Sequence, residues 1–94
     1  EAEPGTPVLS HDNRTGEATF TLTTDLWWGT NATTYRLYED ETLIDEQTLA
    51  ARTPDAQQAT TTIEDRAPGT YSYVAELAND AGQTRSQALT VKVR

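Results

Sequence analysis

Ninety-four residues with 35% hydrophobic content, a net charge of −8 and no cysteine make one domain with a modest core and no disulfide or thiol chemistry. Phosphate-bearing partners need clustered cations, whereas Lys92 and six arginines are scattered, so neither nucleic acid nor an anionic membrane is an expected partner. No apolar run approaches the ~20 residues of a membrane span and no signal-peptide pattern is present, so either the chain is never exported or, as expected here, it is a module cut from a longer precursor.

Taken in order, residues 1–6 read as linker, since acids, Pro4 and Gly5 alternate there without periodicity. The domain is expected over residues 7–94. Val8-Leu9-Ser10 forms a short edge strand after Pro7, and Asp12 to Gly16 is a turn. From Glu17 to Thr24, Ala18, Phe20 and Leu22 alternate with Thr19, Thr21 and Thr23, which predicts a half-buried strand. There follows Asp25-Leu26-Trp27-Trp28-Gly29-Thr30-Asn31-Ala32-Thr33, where both tryptophans stand among small, turn-forming residues as strand gives way to loop.

Thr34 to Glu39 predicts a strand with Tyr35 and Leu37 inward and Arg36 and Tyr38 outward. A tight turn at Asp40-Glu41 leads into a strand over 42–49 that uses Leu43 or Ile44. Ala51 to Ala56 is loop, Gln58 to Ile63 a threonine-rich strand, and Ala67-Pro68-Gly69 part of a turn. Thr70 to Ala78 is the clearest strand, with Tyr71, Tyr73, Ala75 and Leu77 in register. Asn79 to Gly82 turns the chain, and Gln87 to Val93 closes it.

About seven short strands with turn signals every ~8–12 residues predict an all-β, antiparallel sandwich of immunoglobulin or fibronectin III type. Tyr71, just past Pro68-Gly69, stands where such sandwiches place a tyrosine corner.

Catalytic constellations are missing. Ser10-His11-Asp12 has the residue types of a triad, but neighbours on a strand point to opposite faces. His11 is the single histidine, which removes most zinc and general-base sites, and no cofactor is expected. Glycoside hydrolysis needs two carboxylates across a cleft, and Glu39-Asp40-Glu41 lies in a turn. Asp12 to Glu17 lacks the spacing of a calcium loop. Asn13-Arg14-Thr15 and Asn31-Ala32-Thr33 match the glycosylation acceptor pattern and are expected in exposed loops.

The segments Pro4-Gly5-Thr6-Pro7, Leu26-Trp27-Trp28-Gly29-Thr30-Asn31-Ala32-Thr33, Leu37-Tyr38-Glu39, Gly69-Thr70-Tyr71-Ser72-Tyr73 and Glu76 to Gly82 form a pattern. It resembles the immunoglobulin-like (fibronectin III-like) domain at the N-terminus of bacterial chitinase A and related accessory modules of secreted polysaccharide-degrading enzymes. The likeness runs from Pro4 to Val93, and the WWG-x-N-x-T run is its most specific part. Where the family commonly continues Leu-Tyr-Glu with Asn-Gly, this chain has Asp40-Glu41, a stiffer and more acidic turn that leaves the strand topology intact but is expected to make the loop a poorer sugar contact.

The resemblance implies a secreted, extracellular, non-catalytic module, covalently linked to a catalytic domain and meeting chitin or a related insoluble polysaccharide. It also implies that Trp27 is a surface aromatic that guides the polymer. Strand parity, carried forward from Phe20 and Leu22, puts Trp27 outward as well, with Leu26 and Trp28 inward. Trp27, Trp28, Tyr38 and Asn31 are thus the candidate carbohydrate-binding residues. Trp28 and Asn31 also have structural readings, as core and as loop cap. A monomer is expected. The rival function is a rigid spacer with both indoles buried and no ligand; an adhesion domain is a third possibility, with no anchor cluster to mark it.

Overall fold

Alternation of apolar and threonine side chains builds the two layers. The computed structural model describes residues 2–94, which form eight strands and no helix. In chain order these are β1 (Val8–His11), β2 (Phe20–Leu26), β3 (Thr34–Glu39), β4 (Thr42–Thr48), β5 (Gln57–Ile63), β6 (Gly69–Asn79), β7 (Gly82–Arg85) and β8 (Leu89–Val93). One antiparallel sheet has the order β1-β2-β5; the other has the order β4-β3-β6-β7, with β8 also paired to β6. The fold is an antiparallel immunoglobulin-like sandwich, as the strand pattern predicts.

Phe20, Leu22, Leu26, Ala59 and Ile63 bury the inner face of the first sheet. Tyr35, Leu37, Tyr73, Ala75, Leu77 and Val91 meet them from the second. Phe20 and Tyr73 touch edge to face, their ring centroids 6.0 Å apart, the arrangement that ring quadrupoles favour. Two buried phenols also join polar groups. Tyr35 Oη lies 2.8 Å from Thr61 Oγ1, whose hydroxyl donates to Asp45 Oδ2 at 2.6 Å. Tyr73 Oη donates to Glu39 Oε2 at 2.6 Å, which also accepts from Arg66 Nε at 2.7 Å. Tyr71 Oη donates 2.6 Å to the Ala67 carbonyl four residues upstream, which makes the expected tyrosine corner.

Several boundaries differ from those predicted. β2 starts at Phe20 because Asn13 claims the backbone of Glu17, leaving Ala18 exposed before the strand. A bulge between Leu37 and Tyr38 pairs Tyr38 with Leu43 and Leu37 with Asp45. Ile44 thereby turns toward the core and Leu43 to solvent. The eighth strand is β7, expected as turn and connection. The long β6 pairs β8 with its first half and β7 with its second. Between the two, Ser86 N–H donates to the Ala75 carbonyl and Ser86 Oγ accepts the Ala75 N–H, so one side chain completes the ladder where the strand breaks.

Of the stretch 1–6 read as linker, Glu1 lies outside the described residues, and the remainder lies against the domain. Asn79 Nδ2 donates to the Ala2 carbonyl, Gly5 N–H to the Thr30 carbonyl and Thr84 Oγ1 to the Gly5 carbonyl. Pro4 and Pro7 are buried.

The β3–β4 hairpin turns at Asp40 (φ 47°) and Glu41 (φ 73°), the type I′ geometry that two-residue hairpins prefer. Asp40 Oδ1 accepts the Ser72 N–H, which uses its side chain in the turn. Among the described residues, no hydrogen bond of the Glu41 side chain offsets its left-handed backbone, which disfavours a non-glycine residue by about 1 kcal/mol. Glu41→Gly is therefore expected to raise stability by about 1 kcal/mol, read as a higher urea midpoint at unchanged m-value.

Burial raises the Tyr35 phenol above its ordinary pKa; burial, reinforced by the Glu39 carboxylate, raises Tyr73 further. The folded state thus holds both protons more tightly than the unfolded state. That stabilisation is complete below the unfolded value of about 10 and is lost as pH rises past it toward the folded values. The denaturation midpoint should fall above about pH 10, with phenolate absorbance from these two rings rising only as the domain unfolds.

Candidate functional site

The chain leaves β2 at Leu26, whose side chain caps the core, and strand alternation ends there. Trp27 and Trp28 follow outside the strand, 54% and 76% exposed, before Gly29 turns the backbone at φ 101°. Trp27 is exposed, as parity and the resemblance both placed it. The inward placement of Trp28 is corrected: parity holds only while the strand continues, and this one stops two residues earlier. The two indoles border one shallow hollow with Thr6 and Val8, and Val8 is itself half exposed. Gly5 closes the base of this hollow. A methyl group at Gly5 would come within 2.8 Å of both Leu26 Cδ1 and the Trp28 carbonyl oxygen, so only glycine lets the N-terminal segment lie this close to the loop.

Asn31 has a different place from the one expected of a sugar-binding residue. Its side chain is 1% exposed. Nδ2 donates to the Asp55 carbonyl at 2.8 Å, and Oδ1 accepts the Arg52 N–H at 2.6 Å. Its N–H donates to Thr53 Oγ1, and its carbonyl accepts from Asn79 Nδ2. Gln57 brackets the next residue, accepting the Ala32 N–H and donating to the Ala32 carbonyl. Asn31 thus ties the tryptophan loop to residues 50–57 and to the end of β6. Both ends of its buried amide bond to backbone, which fits the loop-cap reading and corrects the reading as a ligand contact.

The same burial corrects the expectation for the two glycosylation motifs. Asn13 is 8% exposed, and its amide both donates to and accepts from the Glu17 backbone. Neither acceptor nitrogen stands free. Within Ser10-His11-Asp12, His11 Nδ1 accepts the Asn13 N–H and Asp12 Oδ1 accepts the Thr21 N–H, so both side chains serve the turn.

Tyr38 faces outward as predicted, but on the second sheet and away from the tryptophan hollow. Its ring lies under the Arg85 guanidinium, 5.0 Å from centroid to Cζ, a cation–π arrangement. It lines a separate groove with Asp40, Ser72, Val74 and Arg85. Beside it runs a row of charges that sequence reasoning missed. Arg36 Nε meets Glu46 at 2.6 Å and Arg36 Nη1 meets Glu76 at 3.0 Å, while Arg85 Nε meets the other Glu76 oxygen at 2.9 Å. Cross-strand pairing places these four residues side by side on β4, β3, β6 and β7. The Glu76 carboxylate, 3% exposed, is paired with two arginines, one at each oxygen. The signal lay in the alternation, which made Arg36 outward, but only the strand order reveals its neighbours.

Asn31→Ala would leave the Asp55 carbonyl and the Arg52 N–H without buried partners. A loss of about 2–4 kcal/mol is expected, measured by urea denaturation, with iodide quenching of both indoles changed as the loop loosens.

The CARDB domain of the PF1109 protein from Pyrococcus furiosus, solved in complex with di-metal ions, matches with a TM-score of 0.74. The match covers 99% of this chain and 94% of that one at 16% identity, a likeness of fold. Among the described residues here, no three His, Asp or Glu side chains are grouped to hold a metal. No curated protein sequence matches the chain. The family model described as chitinase A, N-terminal domain, matches residues 8–94. Since that span takes in all eight strands and the tryptophan loop, the chain belongs to the family of chitinase A N-terminal domains.

Proposed function

We propose that this domain is a secreted, non-catalytic accessory module that makes weak contact with chitin or a related insoluble polysaccharide through Trp27 and Trp28. The observation that supports this reading is the exposure of two adjacent indoles, 54% and 76%, on a loop anchored by the buried Asn31. Monomeric soluble domains rarely leave such a patch open without a partner. Pyranose rings present flat CH faces, and an indole offers a wide apolar plate that loses little entropy on contact. Anchoring reduces the ordering cost further, because the loop is held before the polymer arrives.

Contact of this kind acts through proximity. A catalytic domain joined covalently to the module experiences a raised local concentration of substrate without any new chemistry. Nothing in the geometry of Trp27 and Trp28 holds a nucleophile or a proton donor. The spacer reading draws on one observation, the elongated 43 × 21 × 19 Å shape of the sandwich, and it predicts no sugar contact at all.

Pull-down on crystalline chitin, beside cellulose, tests the proposal. The wild-type domain should be retained on chitin, with Trp27→Ala and Trp28→Ala each weakening retention roughly three- to tenfold, the scale of one lost stacking contact. Both side chains lie outside the core, so circular dichroism and the urea midpoint should stay unchanged. Equal retention of all three proteins, or none, would remove the tryptophan contact and leave the spacer.

A further inference from the structure

We propose that the groove on the outer face of the second sheet is a binding site for the carboxyl end of a peptide that finishes in lysine or a similar ω-amino residue. It lies away from the tryptophans and does not rest on the polysaccharide reading. The groove has a volume of about 680 Å³ and is lined by Tyr38, Asp40, Glu41, Ser72, Val74 and Arg85, which leaves room for a ligand of one or a few residues. Its two ends carry opposite charge, and the fold places each of them.

The cationic end is the Arg85 guanidinium. Its Nε donates to Glu76 Oε2 at 2.9 Å, and Glu76, 3% exposed, is held by Arg36 at its other oxygen. The Tyr38 ring centroid lies 5.0 Å from Cζ, so the group is held from its edge and from its face. Arg36 and Arg66 each bond a second nitrogen inside the protein. Among the described residues, Arg85 alone of the three ion-paired arginines keeps both terminal nitrogens without a partner. A fork of N–H groups in a fixed plane is the donor geometry that takes a carboxylate, and here it is ordered before a ligand arrives.

The anionic end is the β3–β4 turn. Asp40 Oδ1 accepts the Ser72 N–H, whereas Asp40 Oδ2 and the Glu41 carboxylate have no partner among the described residues. Tyr38 pairs with Val74 and Asp40 meets Ser72, so the two ends stand about two strand residues apart, roughly 7 Å. Tyr38, Val74 and Ala88 give an apolar floor between them. A simple anion drawn to Arg85 would meet two carboxylates on a domain of net charge −8, and a simple cation would meet the guanidinium. A ligand bearing both charges satisfies both ends. In a carboxyl-terminal lysine, four methylenes hold the ammonium away from the carboxylate by a comparable length, and that stem suits the floor. A free α-ammonium would stand beside Arg85, so the α-nitrogen must be acylated, as it is at the end of a peptide.

Titration of the ¹⁵N-labelled domain at low salt with Nα-acetyl-lysine, followed by NMR, tests this. The backbone amides of Asp40, Glu41, Ser72, Val74 and Arg85 should shift together and saturate with a Kd of roughly 1 mM, the scale for so small a ligand. The indole signals of Trp27 and Trp28 should stay in place. Nα-acetyl-lysine amide, without the carboxylate, and Nα-acetylnorleucine, without the ammonium, should each bind roughly fivefold more weakly, and free lysine likewise. Arg85→Lys keeps a cation beside Glu76 but loses the fork, and should weaken the probe roughly fivefold. Glu41→Gln, at an exposed side chain, should weaken it roughly twofold with the urea midpoint unchanged. Absence of groove shifts up to tens of millimolar probe, or a response that neither variant alters, would overturn the site. Equal binding of either blocked analogue would overturn the requirement for two charges. Equal or tighter binding of free lysine would overturn the peptide end.

Discussion

The presentation of the two tryptophans depends on one buried amide. Asn31 joins three segments, the loop after β2, residues 50–57 and the end of β6, with Gln57 adding a second tie between the first two. Its side chain is nearly inaccessible, and each of its polar atoms has a partner. A polar group taken out of water is costly unless its bonds are replaced, and here they are. The anchor therefore has little tolerance for change. Gly5 and Gly29 complete it from the other side: one allows the N-terminal segment to approach, and the other turns the chain away from β2. Exposed indoles on a loop without these ties would find an apolar surface of their own to cover.

Polar networks help to join the two layers. The apolar core is small, and side chains such as Tyr35, Thr61 and Asp45 cross it by hydrogen bonds. Glu76 sits under two arginines in a row of alternating charges across four strands. Such groups specify one register, because a slip by one residue would bury a carboxylate without its partner. They also link the outer face to the fold: Arg85 is placed over Tyr38 by the same Glu76 that orders the sheet.

The sandwich was legible because alternation is a property of adjacent residues, and β2, β3, β5 and β6 show it strongly. β7 was not, since Gly82-Gln83-Thr84-Arg85 has no apolar face and is a strand only because the long β6 offers it partners. Tyr71 was readable because its hydrogen bond reaches only four residues upstream. Trp28 was misplaced for the opposite reason: where a strand ends is decided by Gly5, Gly29 and the Thr30 carbonyl, which meet only in three dimensions. Asn31 was readable as a ligand contact or as a loop cap, and the choice could not be made in sequence because its partners lie 21 to 48 residues away. Short-range signals gave the elements, whereas the site is made of long-range ones.

Spending Asn31 inside the protein has a consequence for selectivity. The side chain nearest the indoles that could have read the pattern of sugar hydroxyls is committed to the backbone, which leaves two apolar plates and Val8 at the tip. Stacking on CH faces discriminates poorly between β-linked polymers, because the faces are alike and the differing substituents project sideways. Discrimination requires placed donors and acceptors. On this domain those lie at Ser72, Arg85 and Asp40, beyond the reach of a sugar that touches only the indoles. Under the contact proposed above, the tip alone would therefore hold β-linked polymers broadly rather than select among them.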